Sequence, residues 1–338
     1  MRLVFVADPL DGLDASLDST VGLIKAAHAR GHGVWMTEAH QLAVVKGCAF
    51  GLLRPVRVTA EGLKWFPHGG EAQWMPLDLM DAVFMRTDPP VNQAYLHATY
   101  ILDLVDPVRT MVVNDPRGVR QANEKMYALQ FPQWIPPTLV TADAALIAGF
   151  VSDRGLAVLK PIDGHAGRGV LQLRRDDPNL TSIVELATSH GRMPTVVQGY
   201  LDAVAKGNKR LFVVGGEITG AVIRYPGPGD FRIGPPAELA TVTPSDRAMV
   251  AALAPSLHRD GLWLVGIDVI GDRLIEINVT SPGAITKTDV TFGTRLAEDV
   301  IVRLEMRQAR NDGHDLYVAV GAATSSAVRS PVAALHRY

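Results

Sequence analysis

Short apolar runs alternate with stretches whose hydrophobic residues recur at helical spacing. Leu3–Ala7 is a continuous apolar run, the pattern of a buried strand, and Asp8, Pro9 and Gly12 break it. Ser19–Arg30 carries apolar residues at helical spacing and stops at Gly31 and Gly33. The pattern then predicts strands at Gly33–Met36, Ala82–Arg86 and Thr110–Val113, with a helix over Ala94–Val105. Strands that alternate with helices imply an open, mostly parallel α/β sheet. Ligands gather at the carboxyl ends of such strands, which places Asp8, Arg86, Asp88 and Asn114 at a candidate rim.

The pattern changes near Asn123. Strands at Ala157–Lys160 and Val170–Leu173 flank Pro161 and a glycine-rich stretch, Asp163 to Gly169. That order predicts a hairpin, not the strand–loop–helix order of a dinucleotide fold, which excludes a Rossmann oxidoreductase. A helix over Leu180–His190 and a strand over Thr195–Gln198 follow. The last third predicts hairpins at Arg210–Val214 with Glu217–Arg224, over Gly215-Gly216, and at Leu264–Ile270 with Leu274–Ile277. Tyr225–Pro236 reads as a Gly/Pro loop, Ser245–Arg259 and Leu296–Ala309 as helices, and the chain from Arg310 as a mobile tail.

Composition narrows the function without choosing one. The 338 residues carry 33 basic and 35 acidic side chains, so no charge excess points to nucleic acid or a membrane surface. One cysteine, Cys48, excludes an internal disulfide framework and a thiolate metal cluster. No apolar run approaches 18 residues, and the opening MRLVFVADPL reads as a strand, not a signal peptide. The expectation is a soluble cytoplasmic protein.

Asp268, Glu276 and Asn278 form the sharpest constellation. The acids lie on adjacent strands of one hairpin, and Glu276 and Asn278, two apart, share a face. An oxygen-only set suits Mg²⁺, with Mn²⁺ as its substitute; the alternative is exposed hairpin polars. The glycines between Asp163 and Gly169 suit a phosphate cradle, which Arg168, His165 and the preceding Lys160 would reinforce, although turns are glycine-rich anyway. Lys125 follows Glu124 at the start of a predicted helix and, taken alone, reads as a solvated surface lysine. Arg210 and Arg224 flank one hairpin and suit a developing phosphoryl or oxyanion charge, or else protect a strand edge. There is no GxSxG elbow and no metal-type histidine spacing.

In order along the chain, these features resemble the bacterial glutathione synthetases of the ATP-grasp ligase superfamily. The stretches that carry the resemblance are FMRTDPP (84–90), ATYILD (98–103), VNDPRGVRQANEK (113–125), LKPIDGHAGRGV (159–170), QGYL (198–201), KGNKRLFVVGGE (206–217) and GIDVIGDRLIEINVTSP (266–282). The resemblance implies an N-terminal α/β substrate domain (1–122), a lid lobe with the glycine loop (123–201) and a second ATP-grasp lobe (202–309), followed by the tail (310–338). It implies ATP contacts at Lys125, Lys160, Gly164, Gly167, Gly169, Gln198, Tyr200 and Leu201, and metal ligation by Asp268, Glu276 and Asn278. It implies Arg210 and Arg224 at the reacting centre, with Arg86, Asn114 and Ser19 facing a peptide substrate. The implied reaction activates a carboxylate as an acyl phosphate and joins it to an amine, giving glutathione from γ-glutamylcysteine and glycine. A homodimer or homotetramer, small-molecule substrates, and no nucleic-acid or membrane partner complete the expectation.

Three departures fall on the substrate side. The stretch Tyr225–Glu238 is shorter and richer in proline than the family's loop and lacks its Arg-Gly-Asn-Leu-Ala core. Asn208 stands where an Asp is usual, and Lys287 and Asp289 stand where the family supplies an Arg-Glu pair. The alternatives are therefore a related ligase for another acid or amine, or an ATP-binding protein of this fold that does not ligate.

Overall fold

The computed structural model describes residues 1–58, 71–165, 167–230 and 232–318, with side chains through Arg310. The chain forms two compact units, Met1–Ile301 and the segment from Val302 onward. The first unit holds three sheets, met one after another along the sequence.

The first sheet contains β1 (Arg2–Val6), β2 (Gly33–Thr37), β3 (Leu42–Val45), β4 (Cys48–Pro55), β5 (Gln73–Pro76), β6 (Ala82–Met85) and β7 (Met111–Val113). Its order is β3-β4-β2-β1-β6-β7, with β5 on β4. The β2-β1-β6-β7 centre is parallel, and β6 and residues 3–6 of β1 are apolar and buried inside it. Its helices are α1 (Ser19–Ala29), α2 (Gln93–Leu102) and α3 (Pro116–Gln121). The Asp18 carboxylate starts α1 by accepting from the Thr20 and Val21 amides.

The second sheet contains β8 (Thr138–Thr141), β9 (Leu156–Pro161), β10 (Leu171–Arg174) and β11 (Thr195–Gly199), in the antiparallel order β10-β9-β11-β8. The glycine stretch joins β9 to β10, as the hairpin pattern predicted. Helices α4 (Ala144–Arg154) and α5 (Leu180–Ala187) cover this sheet over Ile147, Val151, Leu159 and Val184.

The third sheet contains β12 (Asn208–Val214), β13 (Glu217–Pro226), β14 (Ile233–Leu239), β15 (Leu264–Ile270) and β16 (Arg273–Asn278), in the order β14-β13-β12-β15-β16. The chain after β7 runs along the outer side of β16, where Ile277 and Leu274 donate their amides to the carbonyls of Glu124 and Trp134. Helices α6 (Pro244–Arg259), α7 (Ile285–Phe292) and α8 (Leu296–Val318) complete the chain. Thr243 and Asp246 close a reciprocal capping box on α6, with Pro244 in its first turn.

Three expectations are corrected. The Tyr225–Pro236 loop is partly strand, because β14 pairs with β13 even though it carries Pro235 and Pro236. An edge strand tolerates the missing amides. The helix expected to begin near Lys125 is a turn followed by a 3-10 segment, Tyr127–Gln130. The closing helix does not stop at Ala309 but runs to Val318; the rest of the expected tail, from 319, lies outside the described residues, as do Ala166 and Phe231 of the two loops.

Candidate active site

A cavity of about 680 Å³ opens where the three sheets meet in the first unit. Its lining includes Lys125, Lys160, Gly164, Gly167, Gln198, Tyr200 and Leu201, together with Arg210, Arg224, Asp268, Glu276 and Asn278. Arg86 and Ser19 line it as well. Residues up to about 265 positions apart thus share one space, and only folding brings them together.

Lys160 sits near the end of β9 and donates to Gln198 Oε1 at 2.6 Å. Burial pushes its ammonium down to about 8, against the pull of Glu276. Lys125 is buried, not solvated: its ammonium meets the Gly164 carbonyl, lies 3.4 Å from that of Ile162 and 3.6 Å from Glu276 Oε1. The sequence could not show this, because the partners are about 40 and 150 residues away. Gly167 and Gly169 both take positive φ in the turn after the strand. Gly169 does not line the cavity; a Cβ there would stand 2.7 Å from the Pro161 ring, so it shapes the turn.

The hairpin of β15 and β16 sets Asp268 directly opposite Glu276. Arg210 grips Asp268 with two nitrogens, and Arg224 reaches the same Oδ1 at 2.7 Å. Burial would raise this carboxyl, but the two guanidiniums outweigh it and hold it well below the usual carboxylate range. Glu276 is raised by burial, which the Lys125 charge only partly offsets. Asn278 donates Nδ2 to the Gly266 carbonyl at 3.0 Å, which leaves its oxygen as the acceptor end.

These residues fit a divalent metal by their donor chemistry. Among the described residues no three His, Cys, Asp or Glu side chains cluster as metal ligands, so the candidate set is two carboxylates and an amide. Asp268 Oδ1 accepts two hydrogen bonds and is saturated, while Oδ2 accepts one and keeps a lone pair. Hard oxygen donors of this kind suit a cation of the Mg²⁺ type.

On the opposite wall Arg86 is 4% exposed. Its Nε meets Thr20 Oγ1 and its Nη2 the Pro282 carbonyl, both at 3.2 Å. Its Nη1 finds no hydrogen-bond partner among the described residues. Ser19 Oγ accepts from the Ile285 amide at 3.1 Å, at the start of α7.

Asn114 is not brought to the cavity. Its amide bonds the Leu264 and Val279 carbonyls, both at 2.8 Å, and its oxygen accepts from Leu264 N at 2.7 Å. It is a bracket between β7 and the β15–β16 hairpin, which corrects its expected place beside a substrate. Asp289 is likewise occupied: it accepts from Thr294 Oγ1, Leu296 N and Ala297 N, and so caps α8. Asn208 Oδ1 holds Arg224. Glu124, which sequence reasoning passed over, lines the cavity and accepts from Val279 N, Thr280 N and Thr280 Oγ1. Its one visible signal was its place beside Lys125.

A glycine hairpin, buried lysines and a carboxylate pair surround one cavity, and residues 124–293 match an ATP-grasp domain, which makes this an ATP-grasp protein. Two solved structures share the fold. D-cycloserine synthetase matches at TM-score 0.61 and 17% identity over 90% of this chain and 100% of its own. The ATP-grasp ligase PsnB, solved with a precursor variant, Mg and ADP, matches at 0.60 and 16% over 91% and 98%.

The chain belongs to the prokaryotic glutathione synthetase family: the family's N-terminal domain matches residues 1–120 and its ATP-grasp domain residues 124–293. The glutathione synthetase of Thermosynechococcus vestitus is 46% identical over 317 residues, covering 90% of this chain and 99% of its own. This chain is therefore an ATP-dependent ligase that forms carbon–nitrogen bonds, using ATP and a divalent metal. Among the described residues no helix is long and apolar enough to cross a membrane.

Proposed function

We propose that this protein joins γ-glutamylcysteine to glycine, with ATP converted to ADP and phosphate. The observation that carries the reading is the near full-length likeness to a glutathione synthetase, at 46% identity. The cavity geometry agrees with it.

A carboxylate is a poor electrophile, so the γ-phosphoryl of ATP must first be placed on it. Lys125 faces the phosphates, Lys160 stands beside Gln198 on the nucleotide wall, and the glycine turn after β9 covers the phosphates with backbone amides. Tyr200 and Leu201 edge the base. Asp268, Glu276 and Asn278 would hold Mg²⁺, which neutralises phosphate charge when bound. Arg86, through Nη1, takes a substrate carboxylate in a charge-assisted bond, with Ser19 beside it. Attack by the glycine amine on the acyl carbon builds an oxyanion, which Arg210 and Arg224 stabilise as phosphate leaves. Closing the glycine turn keeps water from the acyl phosphate. In this reading residues 1–122 carry the acid substrate, 123–201 form the nucleotide lid, and 202–309 supply the metal and reacting groups. The protein works as a cytoplasmic homodimer or homotetramer, which light scattering on the purified chain tests.

ADP release is measured with ATP, Mg²⁺, γ-glutamylcysteine and glycine, leaving out each in turn. Release that needs all four, with glutathione found by mass spectrometry, is the expected result. A second reading, ligation of another acid or amine, is favoured by β14: prolines stiffen the stretch 225–238, and the Tyr225 hydroxyl is tied to Glu238. Tight ATP binding without release on those substrates would select it.

A further inference from the structure

Lys160, Gln198 and Thr138 stand in a row across one face of the second sheet. The register pairs Gln198 with Thr138 on β8 and with Val158 on β9, two residues from Lys160. All three side chains therefore leave the same face. Lys160 and Gln198 line the cavity, and Thr138, next to Gln198 on the edge strand β8, is not part of the lining.

The hydrogen bonds in this row run in one direction. A hydroxyl has a single proton, and Thr138 donates it to the Pro136 carbonyl at 2.8 Å. Its oxygen is left to accept, and it accepts from Gln198 Nε2 at 3.1 Å. The amide is thereby turned so that Oε1 meets the Lys160 ammonium at 2.6 Å. The flipped amide would instead set its Nε2 against the Lys160 ammonium, two donors facing each other.

We propose that Thr138 is a positioning residue whose hydroxyl fixes the Gln198 amide oxygen-first toward the cavity, making the nucleotide wall selective for a 6-amino over a 6-oxo purine. The inference rests on the nucleotide site proposed above. Gln198 Oε1 has two lone pairs, and Lys160 takes one. The wall thus presents an acceptor beside a donor. The major-groove edge of adenine offers the complement, an amino donor beside the N7 acceptor. The same edge of guanine offers two acceptors, and its O6 would meet Oε1 with no proton between them. Specificity of this kind depends on which way one amide points, and a residue outside the cavity decides that.

The test uses the full chain and measures Kd for ATP and for GTP, each with Mg²⁺, by calorimetry. Thr138→Val should weaken ATP by about tenfold, roughly the loss of one hydrogen bond between neutral groups, and narrow the preference over GTP. Thr138→Ser keeps the hydroxyl and should keep both affinities. Gln198→Glu supplies the decisive background, because a carboxylate presents an acceptor whichever way it turns. There, adding Thr138→Val should change neither Kd by more than about twofold. An equal cost in both backgrounds would mark Thr138 as merely structural and overturn the proposal, as would an unchanged preference in Thr138→Val alone. Should Thr138→Val not fold, Thr138→Ala replaces it in the same comparison. Wild type that binds no ATP would overturn the nucleotide site itself, and the proposal with it.

Discussion

The two walls of the cavity are built on different principles. On the nucleotide and metal wall, charge meets charge: Arg210 and Arg224 grip Asp268, and Lys125 stands near Glu276. Those groups come largely from neighbouring strands of one sheet, so a few local registers assemble them. The substrate wall is held by brackets to distant backbone, at Asn114, Glu124 and Ser19, and it leaves one buried guanidinium nitrogen without a partner. The first wall pairs each carboxylate with a cation before any ligand arrives, and its four cations still outnumber its two acids. The second wall holds its buried cation, Arg86, through a hydroxyl and a carbonyl and not through a carboxylate, and so is poised for an anion.

The comparison can be broken at its strongest point. Glu276→Ala should lower kcat by about a thousandfold or more, since it removes a metal ligand and leaves Lys125 uncompensated. Turnover near the wild-type rate would remove Glu276 from the metal set. Next in size, Arg86→Ala should raise KM for the acid substrate by about a hundredfold and leave KM for ATP nearly unchanged. A selective loss of ATP affinity would put Arg86 on the wrong wall.

Asn114→Ala tests the bracket principle. It strands three buried backbone groups and should lower unfolding stability by about 2–4 kcal/mol, read by urea denaturation, with little change in KM of the folded enzyme. A raised substrate KM with unchanged stability would return Asn114 to the substrate.

The smallest effect is on pH. Above about 8 the Lys160 ammonium gives up its proton, so kcat/KM for ATP should fall by about tenfold per pH unit beyond it. Stability should move the other way. The folded state binds fewer protons at Lys160 than the unfolded state does between about pH 8 and the ordinary lysine value of 10.5, so this group adds stability as pH rises through that window. A flat ATP profile from pH 7 to 9.5 would remove Lys160 from the nucleotide.

The two walls were unequally legible in the sequence. The hairpin with Asp268, Glu276 and Asn278 could be read because alternation and a short turn fix which side chains share a face. The glycine stretch could be read because its flanks both look like strands. Lys125 was misread from its own neighbourhood, since its burial depends on Gly164 and Glu276, which only the fold brings near. Asn114 looked like a rim residue because it follows a strand, yet its partners lie 150 and 165 positions later. Strand β14 was hidden by prolines that propensity counts against strands and an edge position accepts. Local periodicity reports local pairing, and brackets that span the chain leave no periodic trace.

The edges of the third sheet carry a consequence of a different kind. An open sheet normally ends in a row of free peptide groups that another molecule can copy, the first step of strand-to-strand polymerisation. Here the border at β16 is occupied by the protein's own chain, through the Glu124 and Trp134 carbonyls. The border at β14 is blunted by Pro235 and Pro236, which have no amide to lend. Both borders of this sheet are thereby made poor templates for a further strand, and Glu124 contributes to that while also forming part of the cavity wall.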